Sequence, residues 1–86
     1  MGENDKLVVY THNRIDGESN SWAVIIYINE TFKGSLFYYK GELYTGVRFR
    51  YDECSSRVSF TSSYYVYKNN ELLFEVMNDK VTSHVE

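Results

Sequence analysis

The chain has 86 residues, of which 43% are hydrophobic and 24% are charged, and its formal net charge is −3. This length predicts one domain, residues 1–86, with a core too small to enclose a deep active-site cleft, and the composition excludes intrinsic disorder. The mildly acidic balance excludes both a DNA mimic and a protein held to nucleic acid by bulk charge.

The residue types predict an all-β fold. Nine Tyr, five Phe, one Trp and no Pro suit pleated, half-buried surfaces, and no window sustains apolar residues at helical spacing. Alternation of apolar and polar residues instead predicts an antiparallel meander of about six strands that forms a small barrel or sandwich. The predicted strands are Lys6–His12, Ser21–Asn29, Ser35–Tyr39, Glu42–Tyr51, Arg57–Lys68 and Glu71–Asn78.

The first connection, Asn13–Asn20, is polar and contains Asp-Gly, which predicts a loop. The strand that follows is apolar on both sides, which is typical of a central strand or of a closed barrel. We expect its inward side chains to be Trp22, Val24, Ile26 and Ile28.

Two connections have the residue types of two-residue hairpin turns, Lys40-Gly41 and Asn69-Asn70, and Lys33-Gly34 is a weaker third instance. The link between the second and third strands leaves two alternatives. A five-residue loop, residues 30–34, places Ile25 on the face of Phe37, whereas a turn at Lys33-Gly34 places the Trp22 face there.

The Lys40-Gly41 turn fixes which side chains share a face on either side of it. One face is predicted to belong to the core and carries Leu36, Tyr38, Leu43, Val47, Phe49 and Tyr51. The opposite face mixes aromatic side chains with two cations and carries Phe37, Tyr39, Glu42, Tyr44, Arg48 and Arg50. Gly46, inside this predicted strand, indicates a bulge or a close backbone approach.

In the final hairpin, the apolar residues of one predicted strand do not all fall on the same face. Across Asn69-Asn70, Tyr67 is expected to share a core face with Leu72, and Tyr65 with Phe74, whereas Val58 and Phe60 have the opposite parity. A bulge realigns the faces by one residue, so we predict a bulge or sharp bend at Thr61–Ser63. The last eight residues either fray or add a short edge strand.

No pattern of catalytic or metal-ligating residues is present in the sequence, so we expect no enzyme, no metal and no cofactor. His12, His84 and Cys54 are spread along the chain without the spacing of a metal site or the arrangement of a nucleophile and its base. A single cysteine excludes an intrachain disulfide and favours a reducing compartment. With a polar start, "MGENDK", and no long apolar run, we expect a cytoplasmic protein without a membrane segment.

The mixed face is the predicted partner-binding site: Phe37, Tyr39, Tyr44, Arg48 and Arg50. Tyr and Arg dominate binding hot spots, so we expect a small non-enzymatic protein that acts by protein–protein interaction. It would be an inhibitor or an immunity or antitoxin-like partner, possibly forming a homodimer, and its composition is compatible with a phage or bacterial source. One alternative is that a second sheet layer covers the aromatics while the arginines extend to water. Another is a β domain that binds single-stranded nucleic acid or a nucleotide ligand.

Overall fold

The structure is a computed structural model that describes residues 2–51 and 63–85. Its strands lie in two antiparallel sheets, each with strands in chain order. Sheet I contains β1 (Leu7–Asn13), β2 (Trp22–Ile28), β3 (Thr31–Tyr39) and β4 (Glu42–Thr45). Sheet II contains β5 (Arg48–Tyr51), β6 (Tyr64–Lys68), β7 (Glu71–Met77) and β8 (Lys80–Ser83). The all-β prediction is confirmed, and a sandwich of two sheets is the architecture observed.

Residues 2–51 and 63–85 contain eight strands, where the sequence predicted about six for the whole chain. The predicted strand Glu42–Tyr51 divides into β4 and β5, and the chain end supplies β8, the edge-strand alternative for the tail. Among the described residues no helix is long and apolar enough to cross a membrane.

Four hairpins turn through two residues that both have positive φ: Asn29-Glu30, Lys40-Gly41, Asn69-Asn70 and Asn78-Asp79. This turn geometry matches the right-handed twist of the flanking strands. The turns predicted at Lys40-Gly41 and Asn69-Asn70 are confirmed. The weaker prediction at Lys33-Gly34 is wrong, because both residues lie inside β3.

The first hairpin combines the tight turn with a bulge. Tyr27 pairs with Phe32, but Ile26 pairs with Gly34, so Lys33 is the extra residue. Because the extra residue shifts the register, Ile25 shares a face with Phe37, as the five-residue-loop alternative expected. The two-residue turn and the bulge together therefore place the side chains of β2 and β3 on the same faces that a five-residue loop would.

The chain passes from sheet I to sheet II at Gly46 and Val47. Gly46 has φ +66°, a conformation that favours glycine, and Val47 is buried. The hydroxyl of buried Ser35 donates a hydrogen bond to the carbonyl of Val47 and ties the crossover to β3. The crossover changes which residues face the core. In β4 the even-numbered Tyr44 packs against the core, whereas in β5 the odd-numbered Phe49 does.

The core lies between the sheets and is rich in aromatic rings. Phe37 from sheet I and Phe74 from sheet II have ring centroids 5.0 Å apart, and Ile15 enters from the 3₁₀ turn Ile15–Gly17. The buried hydrophobic cluster consists of Ile15, Ala23, Phe37, Tyr39, Val47, Tyr64, Val66, Phe74 and Val76.

The predicted core face is only half right. Val47, Phe49 and Tyr51 belong to the core or pack against it. The other predicted members point away from sheet II and are Leu36, Tyr38 and Leu43. The prediction assumed an unbroken strand through Gly46, and the crossover there exchanges the two faces. The prediction for β2 is also inverted, because its buried members are Ala23 and Ile25.

The final hairpin has a bulge, but on the partner strand. Tyr67 pairs with Leu72 as predicted, but on the face that carries Arg48 and not on the predicted core face. Val66 pairs with Phe74, so Leu73 is the extra residue. The predicted pairing of Tyr65 with Phe74 is therefore wrong. Residues 57–62, where most of the predicted bulge and the Val58 and Phe60 positions fall, lie outside the described residues.

Candidate interaction surface

The five residues predicted to bind a partner do not form one surface. Phe37 and Tyr39 are buried in the core, and Tyr44 packs against it. Arg48 and Arg50 are exposed on the side of sheet II that faces away from the core. The arrangement matches the alternative in which a second sheet covers the aromatics, and the separation follows from the crossover at Gly46.

Apolar side chains occupy the face of sheet I that points away from sheet II. The strand pairing places them together, because directly paired residues in antiparallel strands share a face. We call this set the outer face of sheet I, and it consists of Leu7, Val9, Trp22, Val24, Ile26, Ile28, Leu36, Tyr38 and Leu43. Among the described residues, none of the nine belongs to the core cluster or packs against it.

The outer face of sheet I is exposed at both edges and half-buried in the middle. Leu7 and Val9 on β1 are 52% and 46% exposed, and Leu43 on β4 is 51% exposed. Val24 and Leu36 form a direct pair near the centre and are half-buried. These exposures describe a broad apolar surface rather than isolated apolar residues.

Trp22 and Tyr38 form a stacked pair on the outer face of sheet I. Their ring centroids are 5.5 Å apart and their planes differ by 20°. A direct cross-strand pairing between β2 and β3 brings the two rings together. Each ring presents a large, stiff contact area, which is the property of interface anchors.

The outer face of sheet I carries no charge at its paired strand positions, all of which lie within residues 2–51. Its other paired positions are Thr11, Asn13, Thr31, Gly34 and Thr45. Antiparallel sheets with one solvated face ordinarily alternate apolar and polar side chains, and sheet I departs from that rule.

Sheet II differs from sheet I in that its outer face carries charges. Its paired positions there include the charged residues Arg48, Arg50, Glu75 and Lys80, and the others are Tyr65, Tyr67, Leu72, Met77 and Thr82. The carboxylate of Glu75 lies 2.6 Å from Nε2 of His84, which is exposed. The two outer faces of the molecule therefore differ in charge: the paired positions of sheet I carry none, whereas those of sheet II mix four charged side chains with apolar and aromatic ones.

A depression of about 440 Å³ opens at the margin between the sheets. There the guanidinium of Arg48 lies 5.8 Å from the ring centroid of Phe32, within the range of a cation–π contact. Lys33 lies at the same depression, so two cations and one ring meet there. Its lining consists of Ile26, Phe32, Lys33, Gly34, Ser35, Leu36, Gly46, Val47 and Arg48.

A chain of polar contacts links the sheets elsewhere. Nδ1 of His12 lies 2.7 Å from the Tyr64 hydroxyl, and Nε2 lies 3.2 Å from the carboxylate of Asp79. The Asp79 carboxylate accepts a hydrogen bond from the backbone N–H of Asp16, and the Asp16 carboxylate accepts one from the hydroxyl of Tyr39. Burial and the neighbouring Asp16 carboxylate raise the pKa of Tyr39 to about 12.

The hydroxyl of Tyr64, the ring of His12 and the carboxylate of Asp79 follow one another in the order of a catalytic relay, but the resemblance ends there. Tyr64 is fully buried, and burial raises the pKa of its phenol, so its oxygen is neither an accessible nor an activated nucleophile. The strand pairing of β1 places His12 on the inward face together with Val8 and Tyr10. The sequence alone does not indicate this position, because both faces of β1 carry apolar residues.

Within residues 2–51 and 63–85 no group of His, Cys, Asp and Glu side chains is placed to hold a metal ion. No family model, curated protein or solved structure matches this chain.

Proposed function

We propose that this chain is a small non-enzymatic binding protein that acts by protein–protein interaction through the outer face of sheet I. The observation that carries the proposal is a four-stranded sheet face with nine apolar side chains and no charge at its paired positions. Water against such a face is unfavourable, so a partner that covers it gains free energy from apolar burial.

The size of the face suits a specific contact. Four strands about 4.8 Å apart and about seven residues of 3.3 Å long give a flat area of roughly 440 Å². The largest apolar patch of a typical monomer covers about 300–600 Å² and is often functional. Trp22 and Tyr38 are the aromatic anchors that we expect to contribute most to affinity.

An inhibitor or an immunity or antitoxin-like role fits this surface, because such proteins act by covering a surface of another protein. The proposal needs no reacting group of the chain to be exposed, and the buried Tyr64 phenol agrees with that requirement. The binding residues differ from the predicted set, since Phe37 and Tyr39 serve the core.

The experiment is a pull-down from source-cell lysate, with and without nuclease, using wild type, Leu43→Glu and Met77→Glu. Leu43 lies on the outer face of sheet I, and Met77 is an exposed apolar residue of sheet II, so the second variant is a matched control. We expect wild type and Met77→Glu to retain a protein partner and Leu43→Glu to lose it. Recovery of nuclease-sensitive partners alone, or equal capture by all three proteins, contradicts the proposal.

A second candidate function is binding of single-stranded nucleic acid or a nucleotide at the depression beside Phe32. The contact of Arg48 with the Phe32 ring favours it, because bases stack on rings and phosphates bind cations. Such binding should weaken steeply between 50 and 200 mM salt, by about tenfold or more when several phosphates are contacted, and should be lost in Arg48→Ala. Fluorescence anisotropy with a labelled oligonucleotide measures both effects, and salt-independent or absent binding rejects this candidate.

A further inference from the structure

The two sheets repeat one plan at an offset of 40 residues. In sheet I, Tyr27 pairs with Phe32 and, past a bulge, Ile26 pairs with Gly34. In sheet II, Tyr67 pairs with Leu72 and, past a bulge, Val66 pairs with Phe74. The tight turns Asn29-Glu30 and Asn69-Asn70 hold the same offset.

Residues that correspond at this offset of 40 point in opposite directions relative to the core. Val66 lies in the core, whereas Ile26, its counterpart in sheet I, lies on the outer face. The same reversal holds for Tyr51 in the core of sheet II and Thr11 on the outer face of sheet I. The outer face of sheet I is thus the counterpart of a face that, in sheet II, is covered by another sheet.

The outer face of sheet II, at the opposite end of the sandwich, is interrupted by charges. It is the counterpart of the inward face of sheet I, yet it places Arg48, Arg50, Glu75 and Lys80 among its apolar and aromatic residues, which are Tyr65, Tyr67, Leu72 and Met77. In stacked repeat structures a polar outer face is what ends the stack. Sheet II therefore ends the stack on its side, and sheet I leaves it open.

We infer that the outer face of sheet I is covered by the same face of a second copy of this chain, a partner assignment that rests on the proposed function. A two-fold axis places Val24 and Leu36, the central pair, against the same pair of the other copy. The result is a stack of four sheets with a charged sheet II at each end.

The charges on the two outer faces favour this symmetric arrangement over a head-to-tail one. Packing sheet II of one copy on sheet I of another would bury Arg48, Arg50 and Glu75 against an uncharged face, which is strongly unfavourable. The symmetric contact buries no charge from a paired strand position of that face. It is also closed, because a two-fold contact uses the same face of both copies.

The expected affinity is modest. Two faces of roughly 440 Å² each give a flat contact of about 900 Å², and side-chain relief raises the buried area toward the 1,200 Å² lower end of specific interfaces. We therefore expect dimers that dissociate on dilution, with a midpoint on the order of 10–100 µM.

Sedimentation velocity over about 2–400 µM tests the inference on wild type, Leu43→Glu and Met77→Glu. We expect wild type and Met77→Glu to change from monomer to dimer over the same concentrations. Leu43→Glu places a carboxylate in the contact and should weaken the dimer at least tenfold. Val9→Glu, an exposed position on the other edge of the face, should do the same, and circular dichroism verifies that each variant is folded.

A wild-type chain that stays monomeric to 400 µM overturns the second copy as the partner, as does equal weakening by Met77→Glu. The lysate pull-down distinguishes this failure from that of the proposed function. If wild type is monomeric but Leu43→Glu still loses a captured protein, the surface binds a different partner. If Leu43→Glu neither weakens a dimer nor loses a partner, both proposals fail.

Discussion

Sheets I and II share strand order, turn type and bulge position, but they differ in what their outer faces expose. The outer face of sheet II places four charged side chains among apolar and aromatic ones. The outer face of sheet I carries no charge at its paired positions, so both of its faces have the residue types of a core. An apolar face that the fold does not need for its own core is the feature that points to function.

The largest predicted effect on stability is a difference between two adjacent residues of β3 that lie on opposite faces of sheet I. Phe37→Ala removes a fully buried ring that contacts Phe74 across the core and should lower the free energy of unfolding by about 3–5 kcal/mol. Leu36→Ala, on the outer face of sheet I, should cost only about 1 kcal/mol in dilute, monomeric protein, because Leu36 is half-buried. Urea unfolding below 2 µM measures both, and equal losses would mean that the faces are not distinct.

The next effect compares the inward tyrosines of the two sheets. The pKa of Tyr39 is raised to about 12, by burial and then by Asp16, above the ordinary value near 10. The folded state therefore retains the proton, and this stability is present below pH 10 and lost as the pH rises from 10 through 12. The loss is on the order of 2–3 kcal/mol for Tyr39.

The matched control for the pH effect is Tyr39→Phe, which keeps the ring and removes the titrating hydroxyl. Burial also raises the pKa of Tyr64 in sheet II, so the variant retains that part of the alkaline loss. Urea unfolding between pH 8 and 12 should give a shallower decline for the variant. Parallel curves for the two proteins would show that Tyr39 is not the titrating group.

The sequence was sufficient for the all-β class and for the turns at Lys40-Gly41 and Asn69-Asn70, because Gly and Asn tolerate positive φ. It was insufficient to predict which side chains face the core, since a glycine at position 46 is compatible with either a bulge or a crossover between sheets. Only the crossover separates Tyr44 from Arg48. The turn at Asn29-Glu30 was missed because Glu is unusual at positive φ, and Lys33-Gly34 offered a more typical turn pair.

Equivalent turn positions in the two sheets give a smaller prediction. Glu30 and Asn70 both hold φ near +65°, where Glu is strained and Asn is tolerated. Glu30→Gly should therefore raise the free energy of unfolding by about 0.5–1 kcal/mol, and Asn70→Gly should change it by less. Chemical unfolding midpoints measure the difference, and an equal response at the two turns would contradict the strain argument.

The smallest predicted stability effects belong to the two outer faces. Leu43→Glu and Met77→Glu alter exposed side chains on sheets I and II and should each change the free energy of unfolding of the monomer by no more than about 0.5 kcal/mol. Their difference should appear in association alone. A loss of more than about 2 kcal/mol in Leu43→Glu would place Leu43 in the monomer's own core.

The fluorescence of Trp22 tests the central claim most directly, because it is the chain's single tryptophan and lies on the outer face of sheet I. We predict that raising the protein concentration from about 2 to 400 µM shifts its emission to shorter wavelength and reduces quenching by acrylamide. Leu43→Glu should not show this change, and Met77→Glu should. Emission and quenching that stay constant for wild type across this range would contradict burial of the face by a second copy.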